Sequence, residues 1–219
     1  MGSNPATGNP KLCETIKEFE QNVRLYDEAR WLSSCYAAPR QRNLLTLLYA
    51  FNLELARIRL SVSEAPLGFM RFQWWRDQIA KLGDPGALPK HPLLIALSVE
   101  LSSALLTREA LLGLVDGHET AFEQDDRALE PEGELAILAA NLLMPGHGWD
   151  KEIRSLAAEW SGLRRGEAAR LLQQMPRVPH LLRPAISHFR LRRLFSRSRN
   201  PNALARRGSI LWAVLTGWI

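Results

Sequence analysis

In LLYAFNLELARIRLSVSEAPLGFMRFQWWRDQI, Leu47–Ile79, apolar side chains return every third or fourth position. That spacing lines one face of a helix and suits no strand. Traced from its start, the first stripe is Leu44, Leu48, Phe51, Leu55, Ile58 and Val62. A break at Pro66-Leu67-Gly68 precedes a second stripe of Phe72, Trp75, Ile79 and Leu82. Of the two adjacent tryptophans, Trp75 fits the stripe and Trp74 falls beside it.

The rest of the chain repeats this pattern. Gly83–Pro92 (GDPGALPKHP) is a loop, because its glycines and prolines cannot continue a helix. Leu93, Leu94, Leu97, Leu101 and Leu105 build the next helix, and Thr107 is the expected N-cap of another running from about Arg108 to Arg127. On that helix Asp116, Glu119, Glu123 and Asp126 form an acidic stripe. A shorter helix is expected over Glu134–Leu143 and another from Asp150 to about Met175, the latter broken near Gly162 or Gly166. Pro176, Pro179 and Pro184 then lead into a basic segment, 181–219. Strand alternation and internal repeats are absent, so the expected class is all-α. Residues 1–10 (MGSNPATGNP) read as a loose tail without the apolar core of a signal peptide, and 11–219 as one helical domain.

The net charge of +5 conceals an asymmetry. Residues 151–219 carry 14 Lys and Arg against 3 Asp and Glu, and from Arg183 onward there are eight arginines and no acid. Such a block seeks an anionic partner: a lipid surface, an acidic protein face or nucleic acid. Nucleic acid is the weakest fit, since no recognition motif accompanies the charge. Cys13 and Cys35 make no CxxC or metal-spaced set, which suits a reducing compartment. No stretch reaches the roughly 18 apolar residues of a membrane span. A cytoplasmic protein, soluble or peripheral at the inner membrane, is the expectation.

Several spaced motifs resemble the squalene/phytoene synthase family. PRQRNLLTLLYAFNLELARIR sets Arg42 seven residues before Tyr49-Ala50-Phe51, and VSEAPLGFMRFQWWRDQI is similar to a subgroup with Val-Ser-Glu and Arg-x-x-Trp-Trp-Arg. HPLLIALSVELSSALLTREALLGLVDGHETAFEQD and the C-terminal LLRPAISHFRLRRLFSRSRNPN follow in the family's order. That subgroup includes a mitochondrial assembly factor for respiratory complex I. The resemblance implies an antiparallel helical bundle of the isoprenoid-synthase type. In catalytic members two aspartate-rich segments hold Mg²⁺, which neutralises the departing diphosphate.

At the first of those segments this chain has Ala56, Arg57 and Leu60. Ala and Leu cannot ligate magnesium, and Arg57 places a permanent positive charge where a dication belongs. The region of the second segment offers Asp150, Glu152, Glu159 and Glu167, with no two acids four residues apart. The resemblance with these departures implies a non-catalytic binding or assembly module without a cofactor. The alternative is a prenyltransferase with an atypical Mg²⁺ site, for which Asp116, Glu119 and Glu123 are the remaining candidate ligands.

Two readings of the arginines stay open. Arg42, Arg57, Arg59, Arg71 and Arg76, with Tyr49, could grip a prenyl diphosphate or lipid phosphate directly. They could equally pair with Glu54, Glu64 and Asp77. In the C-terminal segment, Arg190, Arg192, Arg193, Arg197 and Arg199 alternate with apolar residues and form a candidate membrane or partner surface, supported by Trp212 and Trp218. The other reading is a solvated basic face whose apolar side closes the bundle.

Overall fold

The computed structural model describes residues 10–82, 84, 86, 89–101, 106–167 and 177–219. Every regular element among them is helical: α1 (Pro10–Tyr26), α2 (Glu28–Ser34), α3 (Pro39–Ser61), α4 (Ala65–Ala80), α5 (Pro92–Leu101), α6 (Arg108–Glu123), α7 (Glu132–Leu143), α8 (Asp150–Arg165), α9 (Arg183–Ile186), α10 (Arg192–Phe195) and α11 (Ala203–Thr216). Short 3₁₀ turns at Arg127–Leu129 and Ser187–Leu191 complete the set. The all-α expectation holds.

The helices sort into two compact units, one from the residues up to Tyr26 with Asn43–Pro131, the other from Asp27–Arg42 with Glu132–Ile219. In the first unit, α3 and α4 form an antiparallel hairpin joined by Val62-Ser63-Glu64. Phe51 meets Trp75 edge to face at 5.3 Å between ring centroids. The stripe residues Leu44, Leu48, Phe51, Leu55 and Ile58 are buried, but so is every residue from Leu44 through Phe51. The Leu44–Phe51 stretch of α3 is therefore enclosed all round and is less amphipathic than its stripe suggests. The Pro66-Leu67-Gly68 break lies in the first turn of α4, where proline lacks only an N–H that has no helical partner. Gly68 lets α4 approach α6: a Cβ there would sit 2.3 Å from the Phe122 ring.

The α6 cap forms as expected, with Thr107 Oγ1 accepting from the Ala110 N–H at 3.2 Å. The helix stops at Glu123, short of Arg127, because Asp126 caps the following 3₁₀ turn through Ala128 N–H at 2.7 Å. Asp125 turns to a positive φ of 48° at this corner.

In the second unit α7 packs on α8, small residues Ala136, Ala139 and Ala140 being buried together with Ile153, Leu156, Ala157 and Trp160. Gly166, at φ 86°, ends α8 in the left-handed conformation that L side chains avoid. The remainder of the expected helix to Met175 falls mostly on residues 168–176, outside the described set. Two buried arginines anchor ion pairs in this unit. Arg30 is buried and binds Asp27 and Glu132. Arg192 has no exposed surface and donates to Glu159 at 2.7 Å, to the Phe189 carbonyl at 3.2 Å and to the Ile219 main-chain oxygen at 3.1 Å. Such enclosure is tolerable only because each guanidinium is met by a carboxylate.

Candidate functional site

The facing sides of α3 and α4 border an open cleft of about 360 Å³, lined by Glu54, Arg57, Ile58, Ser61, Arg71, Trp74 and Trp75. Helical spacing places these groups together: Glu54, Arg57, Ile58 and Ser61 share one side of α3, and Arg71, Trp74 and Trp75 one side of α4. Both arginines in the wall already have partners. Arg57 donates to Glu54 at 3.1 Å and stacks on the Tyr26 ring, 4.3 Å from its centroid. Arg71 donates to the Ser61 hydroxyl.

The remaining sequence candidates separate. Arg59 donates to the Ala121 carbonyl and so ties α3 to α6. Arg42 donates to the Cys35 carbonyl at 2.9 Å. Tyr49 is buried in α3. None of these three side chains lines the cleft described above.

Arg76 reaches across from α4 to the acidic stripe of α6. Its Nε and Nη2 donate to Asp116 Oδ1 at 3.1 and 2.7 Å, and its Nη1 donates to Glu119 Oε1 at 3.2 Å. A further short contact joins Nη2 to Glu119 Oε2. The hydrogen bonds to Glu119 raise the Arg76 guanidinium's hold on its proton above the ordinary arginine range against the pull of burial, with Asp116 adding to the effect. The structure thus pairs Arg76 with acids 40 and 43 residues away rather than with its neighbour Asp77, which accepts from Gln73 at 2.8 Å.

The donor set around α6 does not fit magnesium. A guanidinium occupies the oxygens of Asp116 and Glu119, Glu123 points to solvent, and Asp126 serves as a cap. His118 is buried and hydrogen-bonded to Asn52 at 2.9 Å. At the other candidate positions Ala56 and Arg57 offer no oxygen, and Leu60 is 85% exposed. Among the described residues no three His, Cys, Asp or Glu side chains gather in a group that could hold an ion. Of the later acids, Glu159 is committed to Arg192, and Glu167 accepts from Arg165 at 2.6 Å.

The basic segment requires one correction. Arg192 is not on the surface: the first residue of α10, it is buried and paired with Glu159, as described above. Arg193, Arg197 and Arg199 are exposed, and Arg190 is half-buried and donates to the Trp218 carbonyl at 2.8 Å. Two features escaped the sequence reading. The buried Asp27–Arg30–Glu132 set joins the first residues of the unit's two chain segments, and its Arg30–Glu132 half, 102 residues apart, has no local spacing to reveal it. His188 is enclosed between Trp160 and Phe189. Burial first, and then the nearby Arg30, push its imidazole down to about 3.

Three comparisons place these features. The profile of the squalene/phytoene synthase family matches residues 23–134, from within α1 into α7. Curated relatives include bovine (Bos taurus), human (Homo sapiens) and rat (Rattus norvegicus) proteins named NADH dehydrogenase (ubiquinone) complex I, assembly factor 6. They are 30%, 32% and 33% identical to this chain over 136 residues. The alignments cover 62% of this chain and 38%, 40% and 40% of those proteins, so the chain spans well under half the length of the relatives it matches. No solved structure is significantly similar. On the family match, which takes in just over half of its residues, this chain belongs to the squalene/phytoene synthase family.

Proposed function

We propose that the chain is a non-catalytic member of this family that serves as a binding module in the maturation of a respiratory NADH dehydrogenase. The observation that carries this reading is the occupation of Asp116 and Glu119 by Arg76. A prenyl-diphosphate synthase needs carboxylate oxygens free to hold dications, and a fixed guanidinium consumes them. Ala56, Arg57 and Leu60 supply no replacement. The names of the curated relatives support the assembly role, and a fold alone does not.

The partner in this reading is a protein of the maturing complex. The test is genetic and biochemical: remove the chain from its own cells and follow assembly of the complex on native gels together with NADH:quinone oxidoreductase activity. Loss of the assembled complex is expected, restored by the wild-type chain and by Asp116→Asn, which keeps the fold and removes a would-be metal ligand. Normal assembly without the chain, or failure of Asp116→Asn to restore it when the variant is folded, contradicts the reading.

One observation favours a second role for the same unit. The α3–α4 cleft presents Arg57 and Arg71 beside Trp74, Trp75 and Ile58, which suits a phosphate carried on an apolar tail. Binding there would be metal-independent and weakened by salt. Equilibrium binding of a prenyl diphosphate in the presence of a chelator tests it, and affinity unchanged by Arg71→Gln contradicts it.

A further inference from the structure

A solvated helix turns charged or polar side chains outward, and α11 does not. Its exposed side carries Leu204, Leu211, Trp212 and Leu215, and Trp218 follows just past the helix end, with exposures from 41% for Leu211 to 81% for Leu204. Gly208, also exposed, fills the gap between Leu204 and Leu211–Trp212. Positions 204, 208, 211, 212 and 215 fall on one side of a 3.6-residue helix, and no charge interrupts them. The opposite side is used: Ile210 and Ala213 are buried and Arg206 binds Glu28 at 3.3 Å, while Arg207, exposed at the edge of the strip beside Leu211, binds the same Glu28 at 3.0 Å. The outward face is thus an apolar strip left open by a helix that is otherwise anchored.

Cations stand at both ends of the strip. Before its N-terminal end, Arg197 and Arg199 are exposed and make no ion pair among the described residues. At the C-terminal end three arginines gather on the last carbonyls of the helix. Arg183 donates to Val214 and Leu215 at 2.8 and 2.9 Å, Arg177 to Thr216, and Arg190 to Trp218 at 2.8 Å. Gly217, with φ 78°, permits this closure: a Cβ there would lie 2.7 Å from the Val178 carbonyl. Guanidiniums at a helix C-terminus are held by the aligned carbonyls while retaining their charge. From Arg183 onward no acid offsets them.

We infer that this face of α11 lies flat on an anionic lipid surface, with Leu204, Leu211 and Leu215 in the acyl boundary and the arginines at the phosphates. Charge complementarity selects the occupant: an apolar strip with cations at both ends matches a layer that is apolar beneath and anionic above. Trp212 and Trp218 carry the side chain preferred at that boundary, an apolar body with one polar N–H. The helix cannot go further in. Its 14 residues extend about 21 Å at roughly 1.5 Å per residue, short of the ~30 Å hydrocarbon core. Among the described residues no helix is long and apolar enough to cross a membrane. The inference stands apart from the assembly reading, because lipid binding and complex maturation are measured separately and either can fail alone.

The test is flotation of the full chain with vesicles of phosphatidylcholine, alone or with about one-third phosphatidylglycerol, the anionic fraction setting the surface potential. Binding to the anionic vesicles only, weakening as salt rises, is expected. Leu211→Gln with Leu215→Gln lowers the partition about tenfold or more through lost apolar burial. Arg197→Gln with Arg199→Gln lowers it by a similar factor, roughly fivefold per charge, and flattens the salt dependence. All four positions are exposed or at the rim, so thermal melting of each variant should match wild type and separate lost binding from lost fold. Three results overturn the inference: no flotation with anionic vesicles, an unchanged partition in Leu211→Gln/Leu215→Gln, or a concentration-dependent dimer that the same pair of substitutions dissolves. The last would assign the face to a second copy of the chain.

Discussion

Replacing Arg76 by alanine removes the guanidinium that joins α4 to the α6 acids and leaves Glu119, 23% exposed, without its partner. Arg76 is itself 26% exposed, whereas Asp116 is largely in solvent, so the two halves of the contact differ in worth. Hydrogen bonds to charged groups contribute about 1.5–3 kcal/mol when enclosed, and exposed ion pairs about 0.2–1 kcal/mol. A partly screened double contact of this kind should therefore be worth about 1–2 kcal/mol, which lowers Tm by roughly 2–8 °C in a chain of this length. Arg76→Lys should fall between, since an ammonium cannot span both carboxylates with one planar fork. The assay is chemical denaturation of wild type, Arg76→Ala, Glu119→Gln and the double variant, read as a double-mutant cycle. A coupling near zero would refute the claim that Arg76 fills the acid cluster. So would a rise in wild-type Tm on adding Mg²⁺, because an ion could bind those oxygens only by displacing the arginine.

Other perturbations probe the same structure. Gly68→Ala drives a methyl group into the Phe122 ring and should cost about 1–3 kcal/mol, partly recovered by Phe122→Leu in thermal melts. Arg192→Ala leaves Glu159 facing a buried void and should destabilise by about 3–5 kcal/mol, whereas Arg193→Gln on the exposed side of α10 should change stability by less than about 0.5 kcal/mol. For His188, burial holds the folded imidazole neutral down to about 3 against an ordinary value of 6.5. The unfolded chain therefore binds a proton first, and the stability this group contributes is present above pH 6.5 and is lost progressively toward pH 3. Asp27, which burial works to raise but the Arg30 and Arg164 charges hold below 3.8, loses its contribution only at the acid end of that range. Urea midpoints should accordingly fall between pH 6.5 and 4.5, and His188→Phe should flatten that part of the curve.

The elements that were legible in the sequence are those whose cause is local. The stripe of α3, the Thr107 cap and the break expected at Gly162 or Gly166, which falls at Gly166, each follow from a spacing or a single residue's conformational preference. What the sequence hid depends on partners far along the chain. Arg192 sits in a run of arginines and reads as one more surface cation, yet Glu159, 33 residues earlier, draws it into the core. The acids of α6 read as an acidic stripe without a partner, and only the packing of α4 on α6 shows that Arg76 occupies two of them. The apolar side of α11 was legible as residue types, Trp212 and Trp218 among them, but which side faces outward depends on where α11 meets the rest of its unit.

The central claim is that the carboxylates left in this fold cannot hold the dications that make a diphosphate depart. Incubating the purified chain with farnesyl or geranylgeranyl diphosphate and Mg²⁺, and measuring pyrophosphate release, tests it most directly. The account predicts release no faster than in the protein-free control. Metal-dependent release that disappears in Asp116→Asn or Glu119→Gln would contradict it.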